Sequence, residues 1–281
     1  MGKVYVFVNQ KGGVGKTTSA INIGAYLALE GKSTLLVDFD SQANLSSGVG
    51  AKPLKPGIYE LLSGTATVEQ ALRKTAIEKL HVIPASIDLS GAAVELIEEE
   101  ERDFFLKKIL APLRNKYDYI LIDCPPSLGV LTINGMAAAD SVLIPMQCEY
   151  FALEGLKLLL ETIRRFQKGL NPGLDIGGIF FTMYDPRTRL AQDVVRQVSA
   201  YFKSKVFSTI IPRNIRLSEA PSHGMPIPVY DPQCPGARAY KSLTLDLIRR
   251  AGGTAGASIG GASAGISAAE NKTLDGEKHG S

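Results

Sequence analysis

The chain has 281 residues, 45% of them hydrophobic, so it can bury a full core as one large domain or as two small ones. Its formal net charge of +3 neither requires nor excludes a nucleic-acid partner, so local charge clusters must decide that question. Cys124, Cys148 and Cys234 form no CxxC pair, which argues against a disulfide framework or a structural zinc site and fits a reducing cytosol.

Strands and helices are predicted to alternate along the chain. Near-continuous apolar runs, typical of strands buried on both faces, occur at 3–9, 33–40, 80–86, 117–126, 141–147, 174–184 and 205–212. Helical spacing predicts helices at 18–31, 102–116, 130–139, 150–169 and 188–203. Gly31 is expected to cap the first helix at its C-terminus. This alternation predicts an α/β fold with a single doubly wound, mostly parallel sheet and helices on both faces.

The composition changes at residue 252. The segment 252–281 consists mainly of Gly, Ala and Ser with scattered charges, and no periodic apolar stripe runs through it. Because such a segment cannot offset its ordering entropy by burial, we predict one domain over 1–251 and a disordered tail over 252–281. The tail also lacks a basic amphipathic helix, and no run approaches the roughly 18 apolar residues of a membrane span. We therefore expect no membrane partner.

The stretch VNQKGGVGKTTS, residues 8–19, lies between the first predicted strand and the first predicted helix, which is the context of a phosphate-binding P-loop. Three glycines allow backbone N–H groups to close around phosphate oxygens: Gly12, Gly13 and Gly15. The positive end of the helix dipole near Lys16 favours the same anion. We expect Lys16 to reach the β- and γ-phosphates, Thr17 to ligate Mg²⁺ and Thr18 to contact the α-phosphate.

A second lysine distinguishes this loop from the common G-x-x-x-x-G-K-T pattern. Gln10 stands where the first glycine would be, and Lys11 follows it. Two cations at this spacing repel each other unless an anion lies between them, and a di- or triphosphate is such an anion.

Carboxylates follow two of the predicted strands. LLVDFDSQ places Asp38 and Asp40 at the end of the second strand, and YILIDCPPS places Asp123 at the end of another. Ligand sites collect at the carboxyl ends of parallel strands. Any one of these residues alone could equally cap a helix or form a turn, but three of them together with a P-loop favour a functional site.

The segment KGGVGKTT, residues 11–18, resembles the deviant Walker A motif of the ParA/MinD ATPases. The resemblance implies a slow P-loop ATPase that uses ATP and Mg²⁺ and forms a homodimer when ATP is bound. It implies that Lys11 reaches the partner subunit's nucleotide, a role similar to that of an arginine finger. Lys11, Lys16 and Asp40 would then be catalytic, with Asp40 beside the attacking water. Asp38 would lie near the metal, and Asp123 would hold Mg²⁺ as a Walker B aspartate.

The segment 210–224 resembles the family's segment beside the nucleotide base, which makes Pro212 and Asn214 candidates for adenine contacts. Met183 is a further candidate that could pack against the ring, although a plain core position is equally consistent with its sequence context.

Basic residues are concentrated near the end of the predicted domain. Seven of them lie between positions 187 and 216, where Asp193 is the only acidic residue: Arg187, Arg189, Arg196, Lys203, Lys205, Arg213 and Arg216. An acidic block lies elsewhere, at 98–103. Such a cluster would bind DNA phosphates without reading the base sequence, whereas a solvated helix face is the simpler alternative.

Two segments, YDPRTRLAQDV and PRNIRLSEAPS, resemble the chromosomal ParA proteins, also called Soj. This resemblance implies that Arg189 and Arg216 contact nonspecific double-stranded DNA and that a ParB-type (Spo0J-like) protein stimulates hydrolysis. It also implies a cytoplasmic, nucleoid-associated protein that acts in chromosome or plasmid partitioning. Two alternatives remain open, namely an ATPase that regulates replication initiation and one that positions a protein cargo.

Overall fold

The computed structural model describes residues 1–51, 55–96 and 99–252. Within them, Met1–Leu247 forms one compact unit, and the described start of a second unit, 248–252, is the end of the last helix. The predicted tail lies outside the described residues except for Gly252, so the division into domain and tail stays a prediction. No helix in this described part of the chain is both long enough and apolar enough to cross a bilayer.

A seven-stranded sheet forms the centre of the fold, in the order β3-β4-β2-β5-β1-β6-β7. The strands are β1 (Lys3–Phe7), β2 (Thr34–Asp38), β3 (Arg73–Lys74), β4 (Leu80–Ile83), β5 (Tyr119–Asp123), β6 (Ser141–Gln147) and β7 (Asp175–Thr182). Every neighbouring pair is parallel except β3 and β4. The predicted α/β fold with one mostly parallel sheet is confirmed.

The register places the ends of the central strands at one level. β1 pairs with β5 so that Phe7 lies opposite Asp123, and β2 pairs with β5 so that Asp38 also lies opposite Asp123. Every residue of β2 and β5 is buried, because helices cover both faces of the sheet. We call the side of the sheet where β1, β2, β5 and β6 end the carboxyl edge.

Twelve helices occur in the described residues. They are α1 (Lys16–Leu29), α2 (Asn44–Gly48), α3 (Ile58–Leu62), α4 (Val68–Ala71), α5 (Leu89–Glu95), α6 (Phe105–Leu110), α7 (Val130–Ala138), α8 (Ala152–Lys168), α9 (Arg189–Phe202), α10 (Ile215–Glu219), α11 (Ile227–Tyr230) and α12 (Pro235–Gly252). Short 3₁₀ helices follow at Ala111–Asn115, Lys203–Lys205 and Ala220–His223. Gly31 has the left-handed φ of 83° that a residue just past a helix end requires, as the sequence predicts.

The structure differs from the predicted elements in several places, and the short helices α2 to α5, α10 and α11 were not predicted. The predicted strand at 205–212 is wrong, because this segment bends and touches β7 and its extension only through isolated bridges at Val206 and Pro212. The predicted helix at 102–116 begins later and changes to a 3₁₀ helix near Pro112, which has no N–H for the α-helical ladder. The long helix α12 and the two-residue β3 were missed, although α12 buries Ala237, Tyr240 and Leu247 at helical spacing.

Candidate functional site

The glycine-rich loop joins β1 to α1 at the carboxyl edge. Gly13 and Gly15 have φ values of 72° and 86°, which side-chain-bearing residues rarely adopt. A Cβ at Gly13 would meet nothing within 4 Å, so glycine is needed there for its conformation rather than for space. Gly15 is the N-cap of α1 and no side chain caps the helix, so the first N–H groups of α1 are left for an anion.

Lys16 turns into its own loop. Its side chain is buried, with the whole residue 7% exposed, and Nζ donates to the carbonyl oxygens of Asn9 at 3.2 Å and Lys11 at 3.3 Å. Burial lowers the pKa of Lys16, and the charge of Asp123 opposes that shift. A buried cation held only by carbonyl oxygens is well placed to receive phosphate oxygens.

Lys11 points the other way. Its side chain is 53% exposed, and Nζ forms an ion pair with Glu149, which follows the end of β6. The backbone of Lys11 is held by a 3.0 Å bond from its N–H to the Asn9 side chain, which in turn donates to the Pro145 carbonyl oxygen. The two lysines of the loop therefore face different sides, one toward its own phosphate site and one toward solvent.

Asp123 is a buried carboxylate at the end of β5. Both of its carboxylate oxygens are buried, and neither accepts a well-formed hydrogen bond from the residues that the structure describes. No group of three or more His, Cys, Asp or Glu side chains in the described chain could hold a metal alone. The Thr17 hydroxyl and one Asp123 oxygen therefore fit a Mg²⁺ ion whose remaining ligands are phosphate and water oxygens.

The buried charge of Asp123 yields a pH prediction. Burial raises the pKa of Asp123 to about 8, the charge of Asp38 adds to this, and Thr17 and Lys16 oppose it. Because the unfolded chain releases this proton near pH 4, the stability of the nucleotide-free protein should fall as pH rises from about 4 to about 8. We expect Asp123→Asn to raise the melting temperature at pH 8 and much less at pH 5, in calorimetry without Mg²⁺. An equal gain at both pH values would contradict this account.

Asp38 is engaged differently from the metal ligand that its sequence position suggests. It is fully buried, and its Oδ2 accepts bonds from the Ser46 N–H at 2.8 Å and the Ser46 hydroxyl at 2.6 Å. Burial raises the pKa of Asp38 to about 6, and the bonds from Ser46 oppose that rise. The Ser46 hydroxyl also accepts the Ala85 N–H at 3.1 Å. Asp38 thus ties α2 to the end of β2, beside Asp123, and its part in metal binding stays a prediction.

Asp40 follows the end of β2 at the same carboxyl edge. It is partly exposed, its Oδ1 accepts the Gln42 N–H at 3.1 Å, and its own N–H reaches Asp38 Oδ1 at 3.4 Å. Its charge raises the pKa of Lys16, as those of Asp123 and Cys124 do more strongly, so the carboxylate acts on the loop. The structure therefore brings together the predicted loop and all three predicted aspartates.

The three predicted adenine contacts also converge. The backbone N–H of Tyr184 donates to the Ile211 carbonyl, so the segment before Pro212 runs beside Met183. Met183 adopts a φ of 50°, and its sulfur accepts a bond from Gln147 at 3.1 Å. Asn214 is the N-cap residue of α10, and its buried Oδ1 accepts no hydrogen bond from any described residue. A buried amide oxygen without a donor fits an exocyclic amino group.

The basic cluster is less positive than its sequence suggests. Four of its cations form ion pairs: Arg187 with Asp185, Arg196 with Asp193, Lys205 with Asp175, and Arg216 with Glu219 and Asp231. Most of these carboxylates lie outside the stretch 187–216, so counting charges within that stretch overstates the excess. Arg189, Lys203 and Arg213 form no ion pair within 4.0 Å in the described part of the chain.

Comparison with known proteins gives consistent results. A family model described as an AAA domain matches residues 2–176. The chromosome-partitioning ATPase Soj of Treponema pallidum is 66% identical over 253 residues, which cover 90% of this chain and 99% of that protein. The sporulation initiation inhibitor protein Soj of Bacillus subtilis is 51% identical over 249 residues, with 88% and 98% covered.

The chain is also similar to a solved structure. A cobyrinic acid a,c-diamide synthase from Mycobacterium smegmatis with bound ATP analog and magnesium superposes with a TM-score of 0.77 at 38% identity. The match covers 89% of this chain and 95% of that one.

Proposed function

The chain belongs to the ParA/MinD family of P-loop ATPases, and from that membership we propose that it is an ATP-driven switch for chromosome or plasmid partitioning. ATP and Mg²⁺ are its cofactors. In the proposed cycle, ATP binding joins two chains into a dimer, the dimer binds nonspecific DNA, and hydrolysis releases it. A ParB-type partner stimulates the hydrolysis step.

The opposite orientation of the two loop lysines carries this proposal. Lys16 occupies the interior of the loop, where it would neutralise its own nucleotide, whereas Lys11 lies on the surface and, among the described residues, has Glu149 as its one ionic partner. A second subunit placed face to face across the carboxyl edge would bring its Lys11 to this nucleotide. Such a lysine would add charge where the transferred phosphoryl group becomes more negative.

The remaining residues position the reactants. The N–H groups of Gly13, Gly15 and Lys16 would surround the phosphates, and Thr17 and Asp123 would hold a magnesium ion, which would neutralise phosphate charge. Asp40 would lie near the γ-phosphate and orient the attacking water. In phosphoryl transfer, positioning and charge stabilisation supply most of the rate, so Asp40 need not be a strong base.

The DNA-binding step would use the cations that have no carboxylate partner. Arg189 at the start of α9 and Arg213 before α10 are exposed and form no ion pair in the described residues. Arg216 would contribute by exchanging its bonds with Glu219 and Asp231 for a phosphate, with a smaller net gain. A dimer would double the number of phosphate contacts, and DNA affinity would therefore depend on ATP.

Binding to a random-sequence duplex, with ATP and with ADP across a salt series, tests the proposal. We expect binding with ATP only, falling steeply with salt. Arg189→Glu should weaken it by about tenfold or more at fixed salt while ATP-driven dimerisation is kept. Lys79→Glu, at the amino end of β4, is the control and should bind as the unaltered chain does. Absence of binding in both nucleotide states would favour protein-cargo positioning, and loss of dimerisation in Arg189→Glu would place Arg189 in the dimer interface.

A further inference from the structure

A groove of about 260 Å³ lies between α3, α5 and α6. Apolar side chains, including Leu62, Leu96 and Phe105, form its floor. Glu95 and Glu99 line its exposed rim, and the hydroxyl of Tyr59 donates to both oxygens of Glu95 at 3.3 Å. None of these residues belongs to the nucleotide loop or to the aspartates of the carboxyl edge.

The rim is acidic although the whole chain is basic. No Lys or Arg is among the described residues that line the groove. Glu100 and Glu101 follow the rim in sequence, and Glu101 forms an ion pair with Lys108. An apolar floor beside two carboxylates that form no ion pair with any described residue is complementary to a helix with one apolar face and a basic border.

A series of hydrogen bonds connects α3, on one side of the groove, with Asp40. The N–H of Ile58, the first residue of α3, donates to the Pro84 carbonyl at 2.9 Å. A Cβ at Gly57 would collide with that same carbonyl oxygen, so α3 and the segment after β4 meet without spare room. The next residue, Ala85, donates its N–H to the Ser46 hydroxyl at 3.1 Å.

Ser46 completes the connection. It is fully buried, and both its hydroxyl and its N–H donate to Asp38, whose other oxygen lies 3.4 Å from the N–H of Asp40. Movement of α3 or of the chain leading into α5 would therefore reach the backbone of Asp40 through two side chains, those of Ser46 and Asp38.

We propose that this groove binds a basic amphipathic helix of the partner protein that stimulates hydrolysis, and that Ser46 transmits its binding to Asp40. The proposal rests on the ATPase cycle proposed above. The chain's own segment 253–281 is a poor occupant, because it has two lysines against three acidic residues and no apolar stripe. A partner helix instead supplies both the positive charge and the apolar face that the groove lacks.

A fluorescein-labelled peptide tests the binding site. The probe has leucines at helical i, i+3, i+4 and i+7 spacing and lysines elsewhere, and a scrambled peptide of the same composition has no apolar stripe. With the full chain, ATP and Mg²⁺, the striped peptide should bind and the scrambled one should not. The double variant with Glu95→Lys and Glu99→Lys should bind the striped peptide about tenfold or more weakly, as measured by fluorescence anisotropy.

The control is the double variant with Glu30→Lys and Glu78→Lys. It reverses the charge of two exposed glutamates that form no ion pair in the described residues. Its affinity for the striped peptide should stay within about twofold of that of the unaltered chain. Equal binding of both peptides, or an equal loss in the control pair, would overturn the groove as the site. Absence of ATP turnover without any peptide would instead tell against the proposed function, so the two failures are distinguishable.

Transmission is tested with Ser46→Ala. We expect unchanged peptide affinity but a ratio of stimulated to basal turnover near one, because the hydroxyl's bonds to Asp38 and from the Ala85 N–H are lost while the Ser46 N–H still donates to Asp38. A ratio equal to that of the unaltered chain would overturn the role of Ser46. Amide hydrogen exchange tests the same connection in the unaltered chain. The exchange rate of the Ala85 N–H should change when the peptide binds. An unchanged rate would contradict the proposed link from the groove to Asp40.

Discussion

Replacement of Lys16 by alanine is expected to abolish measurable ATP binding. The Lys16 ammonium group is buried and, within the described chain, donates hydrogen bonds to carbonyl oxygens alone, so phosphate oxygens would be its first hydrogen-bonded anions. Loss of two charge-assisted hydrogen bonds of this kind weakens affinity by about a hundredfold or more. Calorimetric titration with ATP and Mg²⁺ measures the effect.

The same variant should remain folded. Burial lowers the pKa of Lys16, so the folded state holds this cation at a cost, and alanine removes that cost. The melting temperature without nucleotide should therefore not fall markedly. Lys79→Ala, which changes an exposed lysine at the other end of the strands, is the control and should bind ATP normally. Retained ATP affinity in Lys16→Ala would refute the assignment of the loop.

Replacement of Asp40 by alanine is expected to stop turnover while preserving ATP binding. Asp40 is partly exposed at the mouth of the site, and the Gln42 N–H is the one donor to its side chain among the described residues, so its removal leaves no buried group there unpaired. Turnover should fall by about a hundredfold or more, because a positioned water contributes about that much to the rate. The ATP-bound dimer should then accumulate and stay on DNA.

The effect of Asp40→Ala is measured as the rate of single-turnover ATP hydrolysis and as the lifetime of the complex with DNA. Asp193→Ala, a partly exposed aspartate on α9, is the control and should turn over normally. Normal turnover in Asp40→Ala would refute its catalytic role. Loss of ATP binding would show that Asp40 supports the loop instead.

Much of the site was predictable because its chemistry requires particular residues at fixed places. Gly13 and Gly15 must adopt positive φ, and the following Lys16 must begin a helix, so a short segment specifies the phosphate loop. Asp38 and Asp123 end buried parallel strands, and a parallel sheet brings such ends together wherever they lie in the sequence. Local sequence and strand topology are sufficient for these features.

Other features depend on contacts that no local pattern encodes. Ser46 holds Asp38 from a five-residue helix that is too short for a periodic signal, and Glu149 reaches Lys11 across 138 positions of sequence. The acidic partners of the basic cluster are likewise separated from it, as in the pair of Lys205 with Asp175. Glu149 alone offered a signal, because it follows the end of a strand predicted to lie in the same sheet.

The segment 205–212 shows the opposite error. The apolar residues of this segment predicted a strand. Val206, Phe207 and Ile211 are indeed buried or half-buried. Burial here comes from packing beside β7 rather than from a continuous ladder, and Pro212 has no N–H to extend one. Apolar runs report burial more directly than they report hydrogen bonding.

The central claim is that Lys11 acts on the nucleotide of the other subunit. Mixing Lys11→Ala with Asp40→Ala tests it most directly, since each variant alone should be inactive. In a mixed dimer, the Lys11→Ala subunit keeps its own Asp40 and receives the partner subunit's Lys11, so one site is complete. An equal mixture should regain about a quarter of the unaltered activity, because about half of the dimers are mixed and each has one active site. Failure of the mixture to exceed the separate variants, although mixed dimers form, would contradict action across the dimer.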